Sequence, residues 1–542
     1  MSRGSRAQAL SATGFDRTAG TRRGLLAAML TLLALALVVP ELELPGVTWD
    51  EPEYFASVER IQSWTATLFE DPATALDSAA IQTAWDPQEV RYYNPHPPVY
   101  KQGMAATEFL FGRYLGPVAG YRLFAALMFA LLVGAVTWSV AGVAGAVGGV
   151  GAGLALLLMP RVFGHAHIAA TDMPLTCFWA VSTLAFAAYL RRGRTSAILL
   201  AALALGLALG TKFTGWLLPV PLLVWAILER RWWPWLVTVL LALVVAYVLV
   251  PSAWYDPVGA VSRLFEESMG REQTIPLTTV YLGRIYDYAV PWQQSIVMTL
   301  VTVPLGVLCL SLFGCADAIR DRAILRPLDG RAVLARLSLL QIGFFLGLMA
   351  LPASPNHDGV RLFLPMFPFV ALLSGLGLSR IHELLGARFD SRQAALGCLL
   401  LGSLFLLPAW RQNRHVRPYY LSYYNELIGG LPGAARAGME VTYWYDAMTP
   451  DFLRRIELEL PEGATVLGWP SVKYFEELQD LGLLREDLRF NNELSSSYLL
   501  LLARKATLPP PLLEVYEQVQ PILAAELDGV ELAGLYALTG PE

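Results

Sequence analysis

The sequence predicts a polytopic all-α membrane bundle of about eleven transmembrane helices, followed by a small C-terminal α/β domain on the outer side. Three observations predict it. Of 542 residues, 55% are hydrophobic and only 16% charged, whereas soluble chains of this size carry about 25% charged residues. The apolar residues fall in long unbroken blocks, and a bilayer core of about 30 Å needs about 20 apolar helical residues to cross it. Finally, the tail 411–542 abandons those blocks for short strand-like runs.

The eleven candidate spans are roughly 24–44, 119–140, 142–160, 174–190, 195–210, 213–229, 235–251, 293–313, 337–352, 362–379 and 393–410. Helices satisfy their own backbone groups in lipid, which is why hydropathy finds such spans. Several are short for a full crossing, so tilt and partial burial in protein are expected. The first span resembles a signal peptide in length, but "DEPEYF" follows it where a small-residue cleavage site should stand. The Gly/Ala/Val-rich run 141–155 suits close helix packing.

Orientation follows from the basic residues. The arm 1–23 holds Arg3, Arg6, Arg17, Arg22 and Arg23, and the same side receives "RRGR" at 191–194, "RR" at 230–231 and five arginines between 316 and 336. Arg380, Arg388 and Arg392 fall there too, while the short loops opposite hold only Arg161, Lys212 and Arg361. The expected layout is a cytoplasmic arm (1–23), a transmembrane domain (24–410) with a first outer loop at 45–118, and an outer C-terminal domain (411–542). A bacterial inner membrane with the C-terminus on the periplasmic side is the expected setting.

Three outer segments are large. The first, 45–118, has nine acidic residues between Asp50 and Glu89. The second, 252–292, contains the aromatic "YLGRIYDYAVPW". The third is the tail, whose runs "ATVLGW", "SYLLLLA" and "ILAAELDGVELAGLYAL" read as strands, with a hairpin turn at Asp528-Gly529.

Composition also excludes. A net charge of −5 and the absence of a long basic block give no reason to expect nucleic acid as a partner. The four cysteines, Cys177, Cys309, Cys315 and Cys398, lie in or at the ends of apolar segments without metal-ligand spacing, and read as small buried hydrophobes.

The unusual residues gather on the outer face. "VTWDEPEYF" (47–55) places Asp50, Glu51, Glu53 and Tyr54 where the chain leaves the membrane. "NPHPPVYK" (94–101) adds His96, Tyr100 and Lys101. "PRVFGHAHIAATDMP" (160–174) brings Arg161, His165, His167 and Asp172, "TKFTGW" (211–216) brings Lys212, and "SPNHDGVRLFLP" (354–365) brings His357, Asp358 and Arg361. Each lies at the outer end of a span, so the bundle should draw them into one cavity at membrane level. Ionisable groups there are expensive, which makes a functional site the default reading.

Plainer readings stand beside it. Arg161, Lys212 and Arg361 fit snorkelling to headgroups. Asp172, just before Met173-Pro174, fits a helix N-cap. His165 and His167 are two apart and point different ways on a helix, so a shared divalent metal would need further ligands. Asp50 and Glu51 have nothing nearby in sequence to neutralise them. Glu53, one residue past Pro52, is expected to face solvent.

Acids beside cations at the outer leaflet suit glycosyl transfer from a lipid phosphate. A carboxylate takes the proton from an acceptor hydroxyl as it attacks the anomeric carbon, and Arg and Lys stabilise the charge on the departing phosphate. A rival reading is a transporter or lipid-linked sugar flippase with charges lining a path; against it, the charges cluster at one face rather than at mid-membrane. A non-catalytic binding subunit of the same fold is a third reading.

"WDEPEYF" resembles the Asp-Glu motif of the protein O-mannosyltransferase family and its aminoarabinose-transferase-like relatives. "HPPVYK" is similar to the His-Pro-Pro stretch of the same first loop, "ATDMPLTCFWA" to the second-loop acidic motif, and "RLFLPMFPF" to a segment of the later helices. The resemblance covers roughly 20–410. It implies the C-type glycosyltransferase fold and an inverting transfer from a polyprenyl-phosphate sugar to a periplasmic acceptor. By resemblance, Asp50 is the base, Glu51 its partner and Asp172 an organiser of the site. Lys101, His96 and Arg361 hold the lipid-linked phosphate, with Lys212 and Arg161 as further cations. Tyr54, Tyr100, His165, His167, His357 and Asp358 are further candidates. The chain departs from mannosyltransferases in the shortness of loop 252–292, and its tail segment "YYNELIGGLPGAARAGMEVTYWYDAM" (423–448) resembles the periplasmic end of bacterial members.

Overall fold

The computed structural model of the chain describes residues 3–85, 96–269, 278–320, 330–352 and 354–538. Part of the acidic outer loop (86–95) and of the basic run (321–329) therefore lies outside the described residues.

Six described helices are long and apolar enough to cross a membrane: Gly20–Glu41, Ala119–Leu157, Asp172–Arg192, Gly330–Met349, Arg361–Gly386 and Ser391–His415. A bent pair, Gln294–Thr302 and Leu305–Arg320, makes up to seven, and Thr195–Leu209, Phe213–Leu228 and Trp233–Leu249 are shorter apolar helices. The chain is thus a multi-pass membrane bundle, but helix length does not yield the expected count of eleven.

Two expected boundaries change for identifiable reasons. The spans expected at 119–140 and 142–160 are two helices within the run Ala119–Leu157, and the break between them lies at Gly145, whose φ is +74°. Only glycine reaches that region cheaply, so the boundary falls there rather than at 140–142. The span expected at 293–313 is broken at Val303-Pro304, with a bend of 116°. Proline has no N–H to give the Leu300 carbonyl and forces its predecessor out of the helical region; Val303 is extended accordingly. The carbonyls freed by the break are not left bare. Asn425 of the tail donates its side-chain amide to Leu300 O and to Val303 O, both at 2.7 Å.

The glycine-rich run packs closely, as its composition predicts. A Cβ on Gly375 would lie 2.4 Å from Gly148 O and 2.5 Å from Ala152 Cβ, so Ala119–Leu157 and Phe367–Gly386 meet almost backbone to backbone.

The tail is the expected α/β unit. Strands β1 (Thr278–Tyr281) and β2 (Arg284–Asp287) form a separate hairpin in the segment 252–292. The tail sheet has the order β4-β3-β5-β7-β6, from β3 (Thr465–Trp469), β4 (Arg489–Asn491), β5 (Tyr498–Leu502), β6 (Leu523–Leu527) and β7 (Val530–Ala537). Strands β3, β4 and β5 run parallel, whereas β7 is antiparallel to both β5 and β6. The turn at Asp528-Gly529 has φ of +52° and +73°, the two left-handed residues of a tight hairpin.

The tail is laid on the end of the bundle that carries Asp50. Gly46 N donates to Asp446 O at 2.9 Å and Trp49 N to Trp444 O at 3.3 Å. Tyr474 Oη donates to Val47 O at 2.6 Å. These bonds place the loop 441–448 directly over Asp50.

Candidate active site

Asp50 precedes the helix Glu51–Glu70, in the N-cap position, but its side chain makes no cap hydrogen bond. Pro52 in the first turn needs no hydrogen-bond acceptor, so the helix starts without that cap. The Asp50 carboxylate instead meets Arg361, with Nη2 2.6 Å from Oδ2. Trp444 Nε1 donates to the same oxygen at 3.1 Å.

Arg361 ties the site together. Its Nε lies 3.1 Å from Asp172 Oδ2 and its Nη1 3.1 Å from Asp358 Oδ2. The guanidinium carbon lies 3.9 Å from the centre of the Trp444 ring, a cation–π contact in a desolvated setting. Asp172 also holds Lys212, with Nζ 2.7 Å from Oδ1. Lys212 is extended, in the cap position of the short turn Phe213–Leu217, and this break after Thr195–Leu209 turns its side chain inward.

The N-cap reading of Asp172 is overturned. Thr171 occupies the cap position, no side chain caps the helix, and the carboxylate serves the two cations. Lys212 and Arg361 likewise pair with buried acids rather than reaching outward. Exposure separates the carboxylates: the Asp50 side chain is 23% exposed, against 2% for Asp172 and 8% for Asp358. Asp50 is the most exposed of the three.

Glu51 turns away from this cluster. Both of its oxygens pair with Arg122, at 2.7 Å each, and accept the N–H groups of Thr48 (2.7 Å) and Ala169 (2.8 Å). Arg122 further donates to the carbonyls of Leu42, Pro45 and Gly46. One wholly buried pair thus fastens the exit of the first helix. Arg122 lies inside the apolar run "GYRLFAAL" and gave no sign of this in sequence.

The remaining candidates scatter around the cluster. Arg161 Nε donates to Tyr423 O at 3.0 Å and the guanidinium stacks on Tyr424 and Tyr443. The His165 ring lies 5.6 Å from that of Trp444, and His167 Nδ1 pairs with Phe163 O at 2.8 Å. Burial brings both histidines down to about 4, so they are neutral at ordinary pH. His357 Nε2 is 3.7 Å from Asp358 Oδ2. Among the described residues no group of three or more His, Cys, Asp or Glu could hold a metal.

A cavity of about 320 Å³ lies beside the cluster and shares none of its residues. His96, Lys101, Arg60 and Arg263 line it among Ile61, Trp85, Leu209, Trp216, Leu243 and Val250. Lys101 Nζ donates to His96 O at 3.0 Å, and burial, followed by the charge of Arg60, brings Lys101 down to about 7. Tyr54 packs edge-on against Tyr100, centroids 4.9 Å apart. Tyr100 adjoins Lys101 in the chain, and Tyr54 is among the groups whose charge acts on Arg361. Glu53 corrects the expectation of a solvent-facing residue: it is partly buried, and burial, then the charge of Asp50, pushes it up to about 7. Arg60 escaped the sequence reading, although Ser57, Arg60 and Ile61 share the helical spacing of one face.

A family model described as dolichyl-phosphate-mannose-protein mannosyltransferase matches residues 95–255. That stretch contains Lys101, Arg161, Asp172 and Lys212. Comparison with curated protein sequences gives no match. Among solved structures, ArnT from Cupriavidus metallidurans in the apo state is similar with a TM-score of 0.53 at 16% identity, over 98% of this chain and 100% of that one. The archaeal oligosaccharyltransferase AglB from Archaeoglobus fulgidus, in complex with an inhibitory peptide and a dolichol-phosphate, is similar with a TM-score of 0.50 at 12% identity. That match covers 85% of this chain and 64% of AglB. The expected fold, resemblance and enzyme class, a glycosyltransferase using a lipid-linked sugar, stand with these findings.

Proposed function

We propose that this chain is an inverting glycosyltransferase of a bacterial inner membrane. It takes a sugar from a polyprenyl-phosphate donor and passes it to a hydroxyl of a periplasmic glycan, lipid or protein. The observation that carries the reading is the Asp50–Arg361 pair, a partly exposed carboxylate held on a buried guanidinium 2.6 Å away. Asp50 is the partly exposed carboxylate of the cluster, and Arg361 is the cation that both Asp50 and the donor phosphate can use.

The polyprenyl chain suits the apolar walls of the cavity, with Lys101, Arg60 and Arg263 near its phosphate. A phosphate approaching Arg361 competes with Asp50 for the guanidinium and frees the carboxylate to act as base. The acceptor hydroxyl gives its proton to Asp50 while its oxygen bonds to the anomeric carbon. The bond from that carbon to the phosphate oxygen breaks on the opposite face, and the electron pair leaves with the phosphate, where Arg361 stabilises the added charge. Attack opposite the leaving group inverts the anomeric centre. AglB, a neighbour in fold, is described with a dolichol-phosphate, which supports a lipid phosphate as donor.

Incubating the purified chain with radiolabelled polyprenyl-phosphate sugars and envelope extract tests this. Label should move from the lipid to an acceptor. Label that stays on the lipid with every sugar supplied would contradict it.

A further inference from the structure

The ion network does not end inside the bundle. Asp358 presents its two oxygens to two arginines: Oδ2 lies 3.1 Å from Arg361 Nη1, and Oδ1 lies 3.1 Å from Arg504 Nη2. Arg504 follows β5 in the tail sheet. Its Nη2 also donates to Thr278 O at 3.3 Å, and its Nε is 3.5 Å from Glu440 Oε1. Glu440 in turn accepts from Thr279 Oγ1 at 3.1 Å. One guanidinium therefore joins the tail sheet, the β1–β2 hairpin and the loop that carries Asp358.

The loop is shaped to make this contact. Asp358 and Gly359 have φ of +56° and +65°, a left-handed pair that aspartate and glycine tolerate better than other residues. Arg361 N donates to Asp358 O at 3.2 Å, so the carboxylate and the arginine it holds belong to one tight turn. Counting Arg504 and its second partner Glu440, four carboxylates (Asp50, Asp172, Asp358, Glu440) meet three cations (Lys212, Arg361, Arg504). Burial alone would raise the Asp358 carboxyl, but Arg504, His357 and Arg361 outweigh it and hold it below the usual carboxylate range.

We propose that Arg504 is a positioning residue for the transfer: by occupying one oxygen of Asp358 it fixes the Arg361 guanidinium between Asp50 and Asp172, which makes activity depend on the seating of the tail sheet. This rests on the reading of Asp50 and Arg361 given above. Without Arg504, Asp358 has Arg361 as its main counter-ion and pulls the guanidinium out of the position in which it meets the departing phosphate. A displacement near 1 Å in such a group costs about 10- to 100-fold in rate.

The test uses the full-length purified protein, with Arg504→Gln, Asp358→Asn and the double variant. Arg504→Gln should lower kcat about 10- to 100-fold with a smaller change in donor KM, because Lys101, Arg60 and Arg263 still hold the donor while a displaced Arg361 fails chiefly in stabilising the departing phosphate. Arg504→Lys should recover part of the loss. The double variant should be no worse than the poorer single, since both act through one link. Unchanged kcat in Arg504→Gln, or losses that multiply in the double variant, would overturn the inference. If Arg504→Gln does not fold, the near-isosteric Asp358→Asn decides: it must lose kcat with a smaller change in donor KM. A wild-type chain that transfers no sugar removes the glycosyltransferase reading and this inference with it. An active wild type with unaffected variants removes this inference alone.

Discussion

Arg361 Nη2 lies 2.6 Å from Asp50 Oδ2 although 311 residues separate the two in sequence. Arg361 is also committed to Asp172 and Asp358, so the pair belongs to a charge cluster that is largely dry yet opens to water at Asp50. Breaking such a buried cluster on one side leaves an uncompensated charge, which is why its members act as a unit. The predictions below separate residues that hold this unit together from those that use it.

Glu51 holds. Its carboxylate is fully buried on Arg122 and the N–H groups of Thr48 and Ala169, not on Arg361. Glu51→Gln should lower stability by about 3–5 kcal/mol, the cost of breaking a buried pair, read as a lower thermal unfolding midpoint in detergent. Replacing Glu51 and Arg122 together should recover part of that loss. An unchanged midpoint in Glu51→Gln would show that the pair does not fasten the helix exit.

Lys101 should make donor binding depend on pH. Burial brings it down to about 7, so it is charged below that pH and neutral above it. Donor affinity should therefore fall as pH rises through about 7, the direction expected for a cation that loses its proton. Lys101→Arg, which stays charged, should flatten the profile. Lys101→Ala should weaken binding by about 1.5–3 kcal/mol at low pH. Titration calorimetry with a polyprenyl phosphate distinguishes these outcomes, and a flat wild-type profile would remove Lys101 from the phosphate site.

Trp444 tests the roof over Asp50. Trp444→Phe keeps an aromatic face beneath Arg361 but removes the Nε1–H donor to Asp50. The rate should fall about tenfold, in keeping with the loss of one hydrogen bond to a charged group, while donor binding persists. Loss of donor binding instead would place Trp444 in the donor site rather than over the base.

The sequence made the bundle legible because apolar blocks and basic loops report directly on helices in lipid. It made the tail hairpin legible because Asp528-Gly529 has one cheap conformation. The bend at Pro304 was masked by the hydrophobicity on both sides of it, and the break at Gly145 by a glycine that reads as a small packing residue. At the site, Asp50, Asp172, Lys212, Asp358 and Arg361 were all singled out as loop-end charges, and the fold brings them together. Their pairing was not legible, since each partner arrives from a distant segment. Arg122 and Arg504 escaped for opposite reasons: one is submerged in an apolar helix, and the other is an ordinary basic residue at the end of a tail strand.

The central claim is that Asp50 takes the acceptor's proton, and Asp50→Asn tests it most directly. The amide keeps the shape beside Arg361 and Trp444 but cannot act as the base. With radiolabelled donor and acceptor, single-turnover transfer should fall about 10²–10⁴-fold, the usual worth of a general base. Donor binding should remain, because the cavity around Lys101 is untouched. Transfer by Asp50→Asn at the wild-type rate would contradict the account.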